Sequence, residues 1–236
     1  MRKTLLILLA SGYLTSLSAQ KTEAGASLYS GFLAFGGASA AASSFFNHAD
    51  AYDATSTNNP YGSKTGLGYG VSASVQRVTR RNILLGLELG YEDLRSKIAI
   101  TRISGYTGSA TYQYEAEGQT YLASSFVTLY PSIGYRFTLN QLHLDLTGGV
   151  DIGYCLSTKE KGEATASNGT TYKSSLGRET VKSDIRQRVH VTTGYKKAGL
   201  FASYAWGLTN YKDGFAGGVN ECYSRLFRLG VSYRLN

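Results

Sequence analysis

Residues 141–156 read QLHLDLTGGVDIGYCL. The even positions are Leu142, Leu144, Leu146, Gly148, Val150, Ile152, Tyr154 and Leu156. The odd positions are Gln141, His143, Asp145, Thr147, Gly149, Asp151, Gly153 and Cys155. One face is almost wholly apolar; the other is polar, small or charged. A period of two is the signature of a β-strand, whose side chains point alternately to opposite faces. A strand of a soluble protein usually runs about five or six residues, whereas this alternation holds across the whole of 141–156. Which face lies inside decides the fold.

The same rule finds seven more strands. Ile83, Leu85, Leu87, Leu89 and Tyr91 share a face across 83–91, as do Val127, Leu129, Pro131, Ile133, Tyr135 and Phe137 across 127–137. Segments 185–195, 200–208 and 223–235 alternate in the same way. Residues 66–78 do so less cleanly, and 26–36 is strand-like with either parity able to be the apolar one. Short connections near 79–82, 138–141 and 196–199 alternate with long polar ones at roughly 38–65, 96–119, 157–183 and 211–221. Strict alternation of short and long means successive antiparallel hairpins with every long loop at one end.

Composition points the same way. Charged residues are 17% of the 236, below the roughly 25% of a typical soluble domain. There are 28 Gly, 19 Tyr and only 2 Pro, which suits long strands. At the N-terminus, Met1-Arg2-Lys3 is a positive n-region, TLLILLASGYL an apolar h-region and TSLSAQ a run of small residues. This is a secretory signal over 1–19, cut after Ala19 or Ser18, with the barrel chain over 20–236. Loss of Arg2 and Lys3 leaves 22 basic against 16 acidic residues, a net charge of +6. The basic residues are scattered without an aromatic-basic motif, so no nucleic-acid partner is expected. No apolar run of about eighteen residues follows, so no membrane helix is expected, but a membrane strand needs only about 9–11 residues with one apolar face.

A soluble sandwich would bury the apolar face, and a ligand-binding barrel would turn it inward. Here the opposite face is crowded with Gly, Ser and Thr, as a narrow lumen requires. The apolar face carries Tyr91, Tyr135, Tyr154, Tyr195, Tyr223 and Tyr233 near strand ends, the aromatic girdle of a membrane barrel. The expected fold is all-β: an eight-stranded antiparallel up-and-down transmembrane β-barrel, apolar side out, with four long loops and three short turns.

With the signal ending SLSAQ, eight hairpinned strands and a C-terminus reading RLGVSYRL, the chain resembles the outer-membrane β-barrel family common in Bacteroidetes-type bacteria. In architecture it resembles the small OmpA/OmpX-type barrels. Arg228, Gly230, Tyr233 and Leu235 look like the polar-x-Gly-x-x-aromatic-x-hydrophobic signal read by the barrel-insertion machinery; Asn236 follows where many members end in Phe. The resemblance implies a cell-surface protein of the Gram-negative outer membrane, with long loops extracellular and turns periplasmic. Its implied partners are outer-membrane lipid, lipopolysaccharide and the insertion machinery. It implies a monomer without cofactor.

With the apolar face outward, Glu88, Arg136, His143, Asp145, Asp151, Arg186, Arg188, His190, Arg228 and Arg234 point inward. An eight-stranded barrel is just wide enough for side chains to fill it, and buried charges there must be paired. The turn near Leu139–Asn140 brings Arg136 to His143 and Asp145; Asp151 is level with Arg186 and Arg188; Glu88 and Arg228 lie near mid-barrel. The network reads as a salt-bridge plug or as an ion or ligand path, and the narrow lumen favours the plug. Cys155 and Cys222 face inward near the long-loop end, and an exported pair could form a disulfide, although strands five and eight stand far apart around the ring. His48, His143 and His190 make no metal motif. No Ser-His-acid set can be assembled on the outer face, so no enzyme is expected. Aromatics in FFNHADAYDATSTNNPYG, residues 45–62, suit surface contact as well as simple shielding of the mouth. Binding or transport of a small hydrophobic ligand in the upper barrel is the alternative function, and a lipid-modifying barrel enzyme the third.

Overall fold

The computed structural model describes residues 21–214 and 219–236; the expected signal segment lies outside them. Eleven strands run through the described residues: β1 (Lys21–Gly36), β2 (Ser43–Ala49), β3 (Ala54–Thr57), β4 (Lys64–Val78), β5 (Ile83–Tyr106), β6 (Thr111–Leu139), β7 (Leu142–Ala166), β8 (Thr171–Gly177), β9 (Ser183–Tyr195), β10 (Ala198–Gly207) and β11 (Tyr223–Arg234). Eight of them pair antiparallel in the order β1-β4-β5-β6-β7-β9-β10-β11, and β11 returns to β1, from Gly25 opposite Arg234 to Gly36 opposite Tyr223. The ring is therefore closed, and no strand edge is left unpaired around its wall.

Three tight turns join β4 to β5, β6 to β7 and β9 to β10. Each places one residue in the left-handed region: Asn82 (φ 60°), Asn140 (φ 56°) and Lys196 (φ 53°). Asn tolerates that conformation better than other residues with a Cβ. The first strand begins at Lys21, before the sequence pattern becomes legible, and its odd positions are the inward ones: Glu23, Tyr29, Leu33 and Phe35 are all buried.

Around the ring the apolar residues point out. Leu28, Leu87, Ile133, Leu146, Leu200 and Leu229 are among those exposed. Tyr91, Tyr154 and Trp206 border this band at the long-loop end, and Tyr135, Phe137, Tyr195 and Tyr233 at the turn end; all are exposed. A continuous apolar belt of this kind exceeds what a water-soluble monomer leaves uncovered. It is the wall of a transmembrane barrel, in which every backbone group is satisfied by closure. No helix among the described residues is long and apolar enough to cross a membrane; strands make the crossing.

Beyond the belt the structure adds what the alternation did not show. β5, β6 and β7 have 24, 29 and 25 residues, so most of the expected loops 96–119 and 157–183 are strand. The β5–β6 tip is only 107–110. Two things hid this. On β5 the outward face turns polar (Asp93, Arg95, Lys97) while the inward face turns apolar (Leu94, Ile98, Ile100). On β7, the pairing with β6 slips between Ser125 and Phe126, leaving Leu156 as an extra residue. Below this bulge odd positions such as Asp151 are buried; above it even ones, Thr158 and Glu160, are. A bulge changes phase because side-chain direction has a period of two.

The remaining strands enlarge this upper sheet. β2 pairs in parallel with β5, whereas β3 pairs antiparallel with β2 and β8 antiparallel with β7. The order is β3-β2-β5-β6-β7-β8, and its two outer strands meet across Glu160. That buried carboxylate accepts from Thr57 N and Oγ1 (both 2.8 Å), from Ser174 Oγ and from Arg178 Nε (2.7 Å). Inside lie Phe46, Ile98, Ile100, Ile103, Ala164 and Ala166.

The belt sets a depth-dependent test. In lipid vesicles, Leu87→Arg, in the middle of the belt on β5, is expected to cost about 2–4 kcal/mol of folding free energy, and Leu139→Arg at its turn-end rim at most about 1. Denaturant titration of the vesicle-inserted protein measures both. Equal costs would mean that the face is not in lipid.

Candidate functional site

The lumen is filled in layers, each built from inward positions of neighbouring strands. Nearest the turns, Arg136 on β6 forks between two carboxylates. Its Nη1 and Nη2 donate to Glu23 (3.0 and 2.8 Å), and its Nε and Nη2 to Asp145 (both 2.7 Å). Arg234 and Lys21 also reach Glu23 (3.2 and 3.1 Å), and Arg234 donates to His143 Nε2. Bidentate charged pairs of this geometry are the stronger kind of hydrogen bond.

The next layer holds Arg188, which pairs with Glu88 (2.8 Å), lies over the Tyr130 ring (4.2 Å) and donates to His190 Nδ1 (2.8 Å). Because Arg can only donate, Nδ1 must be the accepting nitrogen. Nε2 then carries the proton and donates to Thr192 Oγ1 (2.7 Å). Between these two layers is a small cavity of about 100 Å³ bordered by Ser74, Ser132, Thr147 and Ser232, room for a few water-sized molecules.

At mid-barrel the charges are fully buried. Arg228 meets Glu92 (2.9 Å) and Asp151 (2.7 Å); Arg186 meets Glu92 (3.0 Å), Asp184 (3.3 Å) and Asp151 (3.6 Å). Tyr29 Oη donates to Glu92 (3.3 Å) and Tyr211 Oη to Asp184 (2.8 Å). Gly153 makes room: a Cβ there would lie 2.5 Å from an Arg186 Nη2. Above this layer, Leu33, Phe35, Tyr61, Leu94, Leu122, Phe126, Tyr211 and Leu226 pack into one apolar cluster across the lumen.

The expected interior residues are thus all inward, but their partners are partly rearranged. Arg136 takes Asp145 together with Glu23, and His143 takes Arg234 instead. Asp151 meets Arg186 and Arg228, while Arg188 goes to Glu88, so Glu88 and Arg228 do not pair. Glu23, Glu92 and Asp184 are absent from the sequence-based set. Glu92 continues the even parity of β5 one residue past Tyr91, where the outward apolar signal stops; Asp184 shares the parity of Arg186. Five arginines (136, 186, 188, 228, 234) face six carboxylates (23, 88, 92, 145, 151, 184), and Lys21 on Glu23 balances the set.

Cys155 and Cys222 are both free thiols. Cys222 belongs to the apolar cluster and Cys155 packs against it, its Sγ 3.3 Å from Thr158 Oγ1. Burial pushes the Cys222 thiol up to about 12. Of the C-terminal signal, Tyr233 and Leu235 lie exposed on the belt. Gly230 faces inward at the ring seam, where a Cβ would be 2.6 Å from Tyr29 Cβ. Asn236 Oδ1 accepts from Ala24 N (2.7 Å), joining the two ends of the described chain.

At the far tip of the upper sheet an open groove of about 620 Å³ is bordered by His48, Asp50, Tyr112, Tyr114, Tyr172 and Lys173, with Asn168 and Thr170 of the β7–β8 turn at its rim. Tyr112 Oη donates to Asp50 (2.6 Å), and His48 Nε2 is 3.2 Å from the same carboxylate. Burial and the bond to Asp50 raise the Tyr112 hydroxyl above its ordinary value, so it stays a donor.

No protein-family model matches the chain and no curated protein matches it; the Bacteroidetes-type family is carried by the sequence resemblance alone. Among solved structures, the chain is similar to Ail, the attachment invasion locus protein of Yersinia pestis, in complex with the heparin analogue sucrose octasulfate. The identity is 13% and the TM-score 0.36, over 91% of this chain and 99% of that one. Neisserial surface protein A follows at 11% and 0.35, over 91% and 97%. The translocator domain of the autotransporter NalP from Neisseria meningitidis is at 13% and 0.26, over 99% and 98%. With likeness this distant, the site is read from the chain's own geometry.

Two measurements follow from this geometry. Glu92→Gln removes charge from between two buried guanidinium groups and is expected to cost about 3–5 kcal/mol. Glu88→Gln, at 14% side-chain exposure, should cost clearly less. Vesicle denaturation measures both, and a Glu92→Gln loss under about 1 kcal/mol would show that the layer is not a tight network. Separately, Cys222 should resist iodoacetamide at pH 8 until the barrel is denatured, and reduction should leave the intact mass unchanged. A two-hydrogen shift would reveal a disulfide.

Proposed function

We propose that the protein is a monomeric, non-catalytic barrel of the bacterial outer membrane that acts through its long-loop end rather than through its lumen. The observation that carries this is the sealed interior: a buried, mutually paired charge layer (Glu92, Asp151, Arg186, Arg228) lies under a packed apolar cluster. An eight-stranded lumen has no width to spare around such a filling. The packed cluster also occupies the upper barrel where a hydrophobic ligand would have to sit.

What extends beyond the lipid belt is, by contrast, a second built structure with its own core and an aromatic and polar groove at its tip. In this reading the groove end faces outside the cell and serves adhesive or structural contact. The tight turns and the C-terminal signal of Gly230, Tyr233 and Leu235 face the periplasm and the insertion machinery. Tyrosine suits such contact because it offers large area at low entropic cost.

Purified protein in planar bilayers should carry no sustained current, while heat-modifiable mobility on gels shows that the barrel is folded. Stable channels from the folded protein would overturn the sealed-lumen reading.

A further inference from the structure

The groove at the distal tip is a built feature, and register shows how it is made. Thr55 on β3 lies opposite His48 on β2, His48 opposite Gly105 on β5, and Gly105 opposite Tyr112 on β6. A Cβ on Gly105 would collide with the Tyr112 ring. The glycine therefore lets that ring fold across β5, and its hydroxyl reaches Asp50, just past the end of β2 (2.6 Å). Tyr114 follows on the same face of β6, its ring centroid 5.3 Å from that of Tyr112. From the opposite edge of the sheet, Tyr172 on β8 meets the His48 ring edge-on at 4.9 Å. Tyr114 and Tyr172 pack on the buried apolar core of Phe46, Ile103 and Ala164. The groove thus has an apolar floor and ring walls.

Its lip is acidic, although the chain as a whole is basic. Asp50 and Asp53 both border it. The contacts of Asp50 with Tyr112 Oη and His48 Nε2 (3.2 Å) both fall on Oδ1, and the Asp53 carboxylate has no ion pair among the described residues. Lys173 is the one permanent cation on the border. It is drawn to the outer wall, where Glu163 opposite it on β7 holds it (3.3 Å).

Floor, walls and lip together select a ligand. An anion would meet two carboxylates. A sugar would set hydroxyls against the apolar floor, where a polar group without a hydrogen bond costs free energy. A cation whose charge is wrapped in alkyl groups suits all three surfaces: its carbons pack on the floor, and its charge faces tyrosine rings and neighbouring carboxylates. We propose that the groove binds a quaternary ammonium compound, its alkylated nitrogen lying among Tyr112, Tyr114 and Tyr172 with Asp50 and Asp53 at the mouth. The inference rests on the reading that the protein acts through its long-loop end, and deepens it by naming a ligand class for that end.

The test compares choline with its uncharged carbon isostere, dimethylbutanol, on the folded protein in a neutral polyoxyethylene detergent. Ligand-observed NMR titration measures both affinities. Choline should bind tighter by roughly tenfold or more. Tyr172→Leu should weaken choline by roughly tenfold, whereas Tyr172→Phe, which keeps the ring, should bind as the parent does. Asp50→Asn should also weaken choline. If that variant does not fold, as judged by heat-modifiable mobility, Asp53→Asn serves in its place, because Asn tolerates the left-handed backbone at that position (φ 47°). Equal binding of choline and dimethylbutanol by the parent overturns the inference, as does choline affinity that is unchanged in Tyr172→Leu and in the folded aspartate variant. Methyl glucoside bound at this groove in preference to choline would make it a sugar cleft and overturns it too. Placement is scored separately: Ser109→Cys, at the β5–β6 tip, should react with a membrane-impermeant maleimide on intact cells. Failure there would defeat the outward reading of the long-loop end, whereas labelling without choline preference defeats only the ammonium site.

Discussion

Closure of the ring at eight strands is the constraint on which the rest depends. Once β11 pairs with β1, the wall has no edge and its circumference is set. The lumen is then only wide enough for side chains to fill. A charge on an inward position has nowhere to go but to another inward charge. This is why Arg136, Arg186 and Arg228 are almost wholly buried yet each contacts at least two carboxylates. The outward positions obey the opposite demand, because a polar group facing hydrocarbon finds no partner at all.

Where the wall leaves the belt, both demands change sign. On β5, Tyr91 is the last outward residue of the apolar belt, and Asp93, Arg95 and Lys97 follow; inward, the buried acid Glu92 is followed by Leu94, Ile98 and Ile100. One continuous strand is thus a membrane strand in its lower half and a water-soluble strand in its upper half. β2, β3 and β8 then become necessary. In water the inward apolar face must be covered, and three ring strands rising alone cannot enclose it. The added strands bring Phe46 into that core and meet across Glu160, so the upper sheet closes with side chains where the lower one closes with backbone.

This inversion marks how far the sequence could be read. Gln141–Leu156 showed its strand, its two faces and, through its small inward residues, which face is outside. It showed nothing past Leu156, because the bulge there shifts the phase of everything that follows. Period-two reasoning sees a break and calls it a loop, although β7 goes on to Ala166. On β5 there is no bulge between Tyr91 and Ile98; the apolar residues simply change sides, so a search for apolar outward positions ends at the lipid boundary. The inward charges on strands with a clean pattern were legible by parity. Glu23 and Glu92 were not, as one lies before the readable part of β1 and the other one residue past that boundary. Pairings were less legible than positions: Asp151 takes Arg228, from the far end of the chain, a contact that only the closed ring brings about.

The interior network has a further consequence for the identity of the fold. Buried ion pairs are often no more stabilising than well-packed apolar residues, because desolvation offsets the attraction, and their best-attested use is to fix register. Here Glu23, Glu92, Arg136, Asp151, Arg186 and Arg228 come from β1, β5, β6, β7, β9 and β11, six of the eight ring strands. A one-residue slip of β11 would turn Arg228 outward into the belt and bring Phe227 or Leu229 inward beside Glu92 and Asp151. That slip would leave one cation in lipid and two carboxylates short of a partner. Backbone pairing alone tolerates neighbouring registers almost equally. The charges do not, and at mid-depth they oppose the slip together with the apolar outer face, which would turn inward with it.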